Sequence, residues 1–174
     1  MKEKAIDLFA GPGGLSLGLI EAGFDVIAAI EYDAAAGSTY KQNIGNHVFT
    51  RDIRKLPPSE MKKTLEAKGS LQRGEELALI AGGPPRPGFS LIGRSKISDL
   101  IEKGQFQASE DPRVKFLADD RNLLFEEFVS YVNSFQPKYF VMENVQGMES
   151  FQYEDEDSII EHIKGRFEGY EVSE

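Results

Sequence analysis

Short apolar runs alternate with helix-length amphipathic stretches along the whole chain, and this alternation predicts an α/β domain. Residues 5–9 (AIDLF) read as a buried strand, 14–22 as a helix, 26–31 as a second strand and 34–42 as a second helix. Residues 47–50 make a short third strand and 59–67 are helix-prone. A fourth strand at 77–81 runs into GlyGlyProPro, which must be a loop. The clearest helix spans 120–135, where Leu124, Phe128, Tyr131, Val132 and Phe135 fall on one face. Residues 139–142 form a fifth strand. Ser158 followed by Glu161 makes a capping box that opens a last helix, with Ile160, Ile163 and Phe167 on one side. The loop from 82 to about 111 is too long for a plain connector, and such loops in compact domains usually carry function or motion.

Composition fits this picture without narrowing it. A chain of 174 residues, 40% hydrophobic and 28% charged, is expected to be one domain over 1–174 with a real core. No run approaches the roughly 18 apolar residues of a membrane span, and MKEKAIDLFAG has no long apolar signal segment, so a cytoplasmic place is expected. Cysteine is absent, which excludes disulfides, thiolate metal sites and thiol nucleophiles, and no metal site is expected.

Charge changes the picture more by its distribution than by its total. A net charge of −9 argues against the whole chain gripping phosphates nonspecifically. Residues 149–161 hold Glu149, Glu154, Asp155, Glu156, Asp157 and Glu161 with no base, whereas 84–98 hold Arg86, Arg94 and Lys96 with no acid. Nucleic-acid contacts are therefore expected near the second segment, although a solvated acidic face and three surface cations account equally well for charge alone.

Candidate chemistry begins at the turn after the first strand, because ligands of open α/β sheets lie beyond the strands' carboxyl ends. There Gly11, Gly13 and Gly14 allow close backbone approach, but Ser16 occupies the sixth position of GxGxxG, which disfavours a dinucleotide. S-adenosylmethionine has no phosphate and needs only a close, flat turn beneath its amino-acid portion. Glu31, ending the second strand, suits both ribose hydroxyls, and Asp52 suits the adenine amine with Ile53 against the ring. Either acid alone reads as an ordinary surface carboxylate; the three features in order at successive strand ends favour the cofactor.

Three motifs then carry a resemblance: DLFAGPGGLSLGL, GlyGlyProPro at 82–85 with GlyPheSer at 88–90, and MENVQGM at 142–148. Together, over residues 4 to 171, they resemble the ordered motifs of the DNA cytosine-5 methyltransferases of the restriction-modification type. The resemblance implies a Rossmann-like methyltransferase fold, a mostly parallel sheet with helices on both faces. It implies S-adenosylmethionine as cofactor, S-adenosylhomocysteine as product and double-stranded DNA as substrate. By the same resemblance Phe9, Ala10, Gly11, Gly13, Gly14, Leu15, Glu31, Tyr32, Asp52, Ile53, Gly83 and Pro84 bind cofactor. Pro85, Ser90, Arg94, Lys96 and Asn144 contact substrate, and Glu143 holds a flipped cytosine by its N3 edge. Read without the other motifs, Glu143 is a carboxylate capping the following turn.

The chain departs from the family at the nucleophile. In the family a cysteine thiolate adds to cytosine C6 so that C5 can take the methyl group. The pattern expects CysGln after ProPro, and here Arg86 and Pro87 stand there. A guanidinium offers no nucleophile. Ser90 is the nearest hydroxyl, and neither His47 nor His162 is placed by motif order to activate it. The chain is thus expected to bind cofactor and not to methylate alone, with Arg86 either an inactivating replacement or a phosphate contact.

Family members continue into an arginine-bearing strand, a target-recognition domain and a helix that closes the cofactor pocket. Their absence from 1–174 leads to the expectation of a truncated chain or of half a split enzyme, whose fifth strand has an unpaired edge open to a second chain. A non-catalytic regulatory subunit, and methylation of tRNA by the same fold, are the alternatives.

Overall fold

A computed structural model describes residues 2–85, 124–143, 152–153 and 157–173. These fall into two compact units. One holds residues 2–84 and 127–143, and the other holds residue 85, residues 124–126, 152–153 and 157–173.

The first unit is a five-stranded parallel sheet: β1 (Lys4–Leu8), β2 (Asp25–Glu31), β3 (Val48–Thr50), β4 (Leu79–Gly82) and β5 (Tyr139–Met142), in the order β3-β2-β1-β4-β5. Helices α1 (Gly14–Glu21), α2 (Ala34–Asn43) and α3 (Pro58–Ala67) lie between the first strands, and α4 (Leu124–Phe135) precedes β5. Strand order first moves outward from β1 to β3 and then reverses through β4 to β5. With right-handed crossovers, the connections before and after the reversal cover opposite faces of the sheet.

Parallel strands covered on both faces have no solvent side to leave polar, so they appear as apolar runs rather than as an alternation, here broken only by Asp7 within β1. Ala5, Ile6 and Leu8 of β1 and Val26 to Ile30 of β2 are all buried, as is every residue of β4. β5, at the sheet's edge among the described residues, alternates instead, with Tyr139 and Val141 exposed. Helix α4 buries Phe128, Val129, Tyr131, Val132 and Phe135 while Ser130 and Ser134 face outward. The buried Tyr131 hydroxyl donates to the carbonyl of Leu56, satisfying both polar groups away from water.

The predicted strands and the first four helices are present, with described ends moved by a residue or two; β4 begins at Leu79 rather than 77, although Leu77 and Ala78 are buried just before it. The last helix departs further, because Ser158 belongs to a short strand and the helix ends at Lys164, three residues before Phe167. Residues 120–123 of the fourth helix and most of the loop to 111 lie outside the described residues.

The second unit includes a hairpin that periodicity did not signal, β6 (Gln152–Tyr153) paired antiparallel with β7 (Asp157–Ser158). Two-residue strands are too short to show alternation. Helix α5 (Ile159–Lys164) follows, Ile163 and Phe167 are buried, and Glu161 accepts from Lys164 Nζ at 3.0 Å.

Candidate cofactor site and family membership

The strand order reverses between β1 and β4, so the crevice for a ligand lies at their carboxyl ends. The register pairs Asp7 with Ala81 and Leu8 with Gly82. The backbones pass so closely that a Cβ at Gly82 would lie 2.1 Å from Leu8 O, so only glycine fits.

The chain leaves β1 through a strained turn. Phe9 has φ 63°, unusual for a residue with a side chain, and Gly11 and Gly13 follow at 56° and 105°. Ala10 N donates to Ile30 O at 2.9 Å and Gly13 N to Ala10 O at 3.0 Å, folding the turn flat over the ends of β1 and β2. A Cβ at Gly13 would strike Ile44, whereas one at Gly11 or Gly14 would meet nothing within 4 Å. The turn is therefore packed beneath and open above, a cradle where a ligand can meet bare backbone.

Glu31, the last residue of β2, faces this turn. Its Oε2 accepts from Gly11 N at 2.7 Å and its Oε1 from Asp33 N at 2.6 Å. Each oxygen keeps acceptor capacity beyond the bond it makes, so the carboxylate is held in place and can still receive a diol. Beside it Tyr32 is 75% exposed, an aromatic face left in water, and Leu15 in the first turn of α1 is also exposed. These residues fit a nucleoside-bearing cofactor: an anchored acid for the ribose, apolar surfaces for flat groups and an open turn for the remainder.

Asp52 stands differently from its neighbours. It caps the short 3-10 helix Ile53–Lys55, and its carboxylate receives Arg54: Oδ1 from the backbone N at 3.1 Å and from Nε at 3.0 Å, Oδ2 from NH2 at 2.9 Å. These bonds hold the Asp52 carboxyl below the usual carboxylate range. Ile53 is buried in the core.

β4 and β5 bring two motifs together. Glu143 N donates to Gly82 O at 2.9 Å, continuing the ladder one residue beyond the strand. A Cβ at Gly83 would lie 3.0 Å from Glu143 Oε2, so the missing side chain makes room for this carboxylate, which is exposed. Pro84 is buried and Pro85 exposed. Arg86, Ser90, Arg94, Lys96 and Asn144 lie outside the described residues.

Sequence reasoning missed a buried polar chain beneath the turn. Asp7 and Ser16 have no exposed surface, and neither has Tyr40. Ser16 Oγ donates to Asp7 Oδ2 at 2.6 Å and lies 2.8 Å from Tyr40 Oη, which lies 2.9 Å from His47 Nε2. Asp7 Oδ1 is buried without a hydrogen-bond partner. Burial raises the Asp7 carboxyl to about 6 against the opposing pull of its Ser16 bond, and the charge of Glu31 adds to the rise. The visible signal was an acid set among the buried apolar residues Ala5, Ile6 and Leu8 of β1.

Comparisons with known proteins agree with this geometry. The family model described as C-5 cytosine-specific DNA methylase matches residues 3–173. A type II methyltransferase of Desulfomicrobium norvegicum, M.DdeI, is 38% identical over 170 residues, covering 96% of this chain and 34% of that protein. M.FnuDI of Fusobacterium nucleatum is 35% identical, covering 83% of this chain and 33% of its own length. The chain thus spans about a third of the length of these relatives. M.HgiGI of Herpetosiphon aurantiacus is 34% identical, with 90% of that protein covered.

Among solved structures, one described as a DNA modification methyltransferase encoded within a prophage (E. coli) aligns with TM-score 0.64 and 29% identity, covering 97% of this chain and 38% of that one. The S. pombe Dnmt2 methyltransferase aligns with TM-score 0.53 at 20% identity over 86% of this chain, a likeness of fold. The parallel sheet is thus the Rossmann-like sheet of S-adenosylmethionine-dependent methyltransferases. With the family model matching almost the whole length, the chain belongs to the C-5 cytosine-specific DNA methylase family, whose methyl donor is S-adenosylmethionine.

Proposed function

We propose that this chain is the cofactor-holding part of a DNA cytosine-5 methyltransferase and that it does not transfer a methyl group by itself. The observation that carries the first half is the Glu31 carboxylate, fixed by two backbone N–H donors beside an open glycine turn and an exposed Tyr32. Glu31 would receive the ribose hydroxyls, while Phe9, Ala10, Gly11, Gly13, Gly14 and Leu15 line the turn under the amino-acid portion. Gly83 and Pro84 complete the wall, and Asp52 and Ile53 serve the adenine end once Arg54 yields part of its hold. When bound, the cofactor supplies an electrophilic sulfonium methyl.

The second half rests on residue chemistry. Glu143, exposed and set against Gly83, suits the N3 edge of an extruded cytosine, and the residue's position beside the GlyGlyProPro turn supports that role. The nucleophile's position holds Arg86, which cannot be deprotonated near neutral pH, and the chain has no cysteine anywhere. Pro85, Ser90, Arg94, Lys96 and Asn144 are the proposed substrate contacts, with duplex DNA as the substrate of the assembled enzyme. A second chain that brings a recognition domain and its own thiol is an alternative reading, favoured by the complete lack of thiols here.

The test uses S-adenosylmethionine labelled in its methyl group. Ultraviolet crosslinking is expected to label the chain, with competition by S-adenosylhomocysteine, while a mixture with duplex DNA leaves the DNA unlabelled. Label in the DNA from the purified chain alone would overturn the inactivity. A folded chain that is not crosslinked would overturn the cofactor site.

A further inference from the structure

The buried hydrogen-bond chain beneath the turn has only two consistent directions. If Asp7 is ionised it accepts from Ser16, whose single proton is then spent. Ser16 Oγ must accept from Tyr40, and Tyr40 must accept from His47 Nε2–H. If Asp7 is protonated and donates, every bond reverses: Ser16 donates to Tyr40, Tyr40 donates to His47 Nε2, and the neutral ring carries its proton on Nδ1. We propose that Asp7, Ser16, Tyr40 and His47 form a proton wire that lets a buried carboxyl beneath the cofactor turn change its charge through a half-buried histidine.

The proton balance closes. A proton binds His47 Nδ1, and the Nε2 proton passes to Tyr40 Oη. The Tyr40 proton passes to Ser16 Oγ, and the Ser16 proton passes to Asp7. One proton has entered, Asp7 has become neutral, and Ser16, Tyr40 and His47 are each neutral as before. The three donor–acceptor distances, 2.6, 2.8 and 2.9 Å, are all within hydrogen-bonding range.

Asp7 has no exposed surface through which to exchange a proton directly, whereas His47 is half-buried at the other end. The unpartnered Oδ1 makes the ionised form costly. Its strand neighbours in register, Ala29 and Ala81, carry no charge, and Glu31 is the charged group that acts on it, in the direction of protonation. On His47, burial opposes the charged ring and Asp25 favours it. Tyr40, pushed up to about 12 by burial, passes a proton without ionising.

The wire is tested without cofactor or activity. Carbon-13 spectra of labelled aspartate follow Asp7, and nitrogen-15 spectra of labelled histidine report which ring nitrogen of His47 bears the proton. The expected result is that the Nδ1 and Nε2 signals exchange character over the pH range in which Asp7 titrates. In Tyr40→Phe the Asp7 proton equilibrates only through local opening of the chain, and the His47 tautomer stops following the Asp7 transition. A His47 ring that keeps one tautomer throughout the Asp7 transition of the wild type overturns the proposal, as does continued coupling in a folded Tyr40→Phe.

Discussion

Replacing Asp7 with asparagine removes the one buried charge in β1, and the structure gives the size and sign of the effect. Burial raises this carboxyl from 3.8 to about 6. The native state therefore binds the proton more tightly than the unfolded chain. The resulting stability is fully present below the unfolded value and is lost as pH rises through the folded one. A shift of about 2 units at 1.36 kcal/mol each makes the loss about 3 kcal/mol. Asparagine cannot ionise, so Asp7→Asn lacks this dependence, and subtracting the two curves cancels the titrating groups that do not interact with Asp7. Urea unfolding of both proteins at steps from pH 4 to 8 is the assay. The stability of Asp7→Asn relative to wild type is expected to climb by about 2.5 kcal/mol across that range, most steeply between pH 4 and 6, and to level off above 7. A difference that stays flat, or that grows toward acid, would refute the assignment of a raised carboxyl.

Three other substitutions probe the fold and the turn. Gly82→Ala places a Cβ against Leu8 O in the adjacent strand, and is expected to cost at least about 3 kcal/mol or abolish folding; wild-type unfolding would count against the strand register. Tyr131→Phe strands the buried Leu56 carbonyl and should cost about 1–3 kcal/mol in urea unfolding, with a loss under about 0.5 kcal/mol speaking against that bond. Gly11→Ala is the informative contrast, because its Cβ meets no protein atom and pays only for φ 56°, about 1–2 kcal/mol. The chain should stay folded while S-adenosylmethionine binding weakens at least tenfold, since the methyl group projects into the space above the turn; unchanged affinity would place the cofactor elsewhere.

The parallel sheet was legible because burial on both faces leaves its mark as apolar runs, and α4 because a helix on a sheet shows its packed face every third or fourth residue. The glycine turn after β1 and the place of Glu31 at the end of β2 were legible for a similar reason: the geometry at strand ends is set by the backbone, which residue types record. The buried chain from Asp7 to His47 was not, since its members lie 7, 9 and 24 positions apart and meet only once α1 and α2 pack beside β1. Arg54 likewise reached Asp52 through a short 3-10 turn with no periodicity to read. The β6–β7 hairpin is too brief to leave a pattern.

The central claim is that this chain holds S-adenosylmethionine at the β1 turn through Glu31, and calorimetric titration of wild type against Glu31→Gln tests it most directly. Saturable binding at one site is expected for the wild type. Glutamine keeps the size of Glu31 but loses its charge and one acceptor oxygen, weakening its hold on Gly11 N, Asp33 N and the ribose, so affinity should fall about tenfold or more in a variant that stays folded. A folded wild type that binds no S-adenosylmethionine, or a Glu31→Gln variant that binds it equally well, would contradict the site.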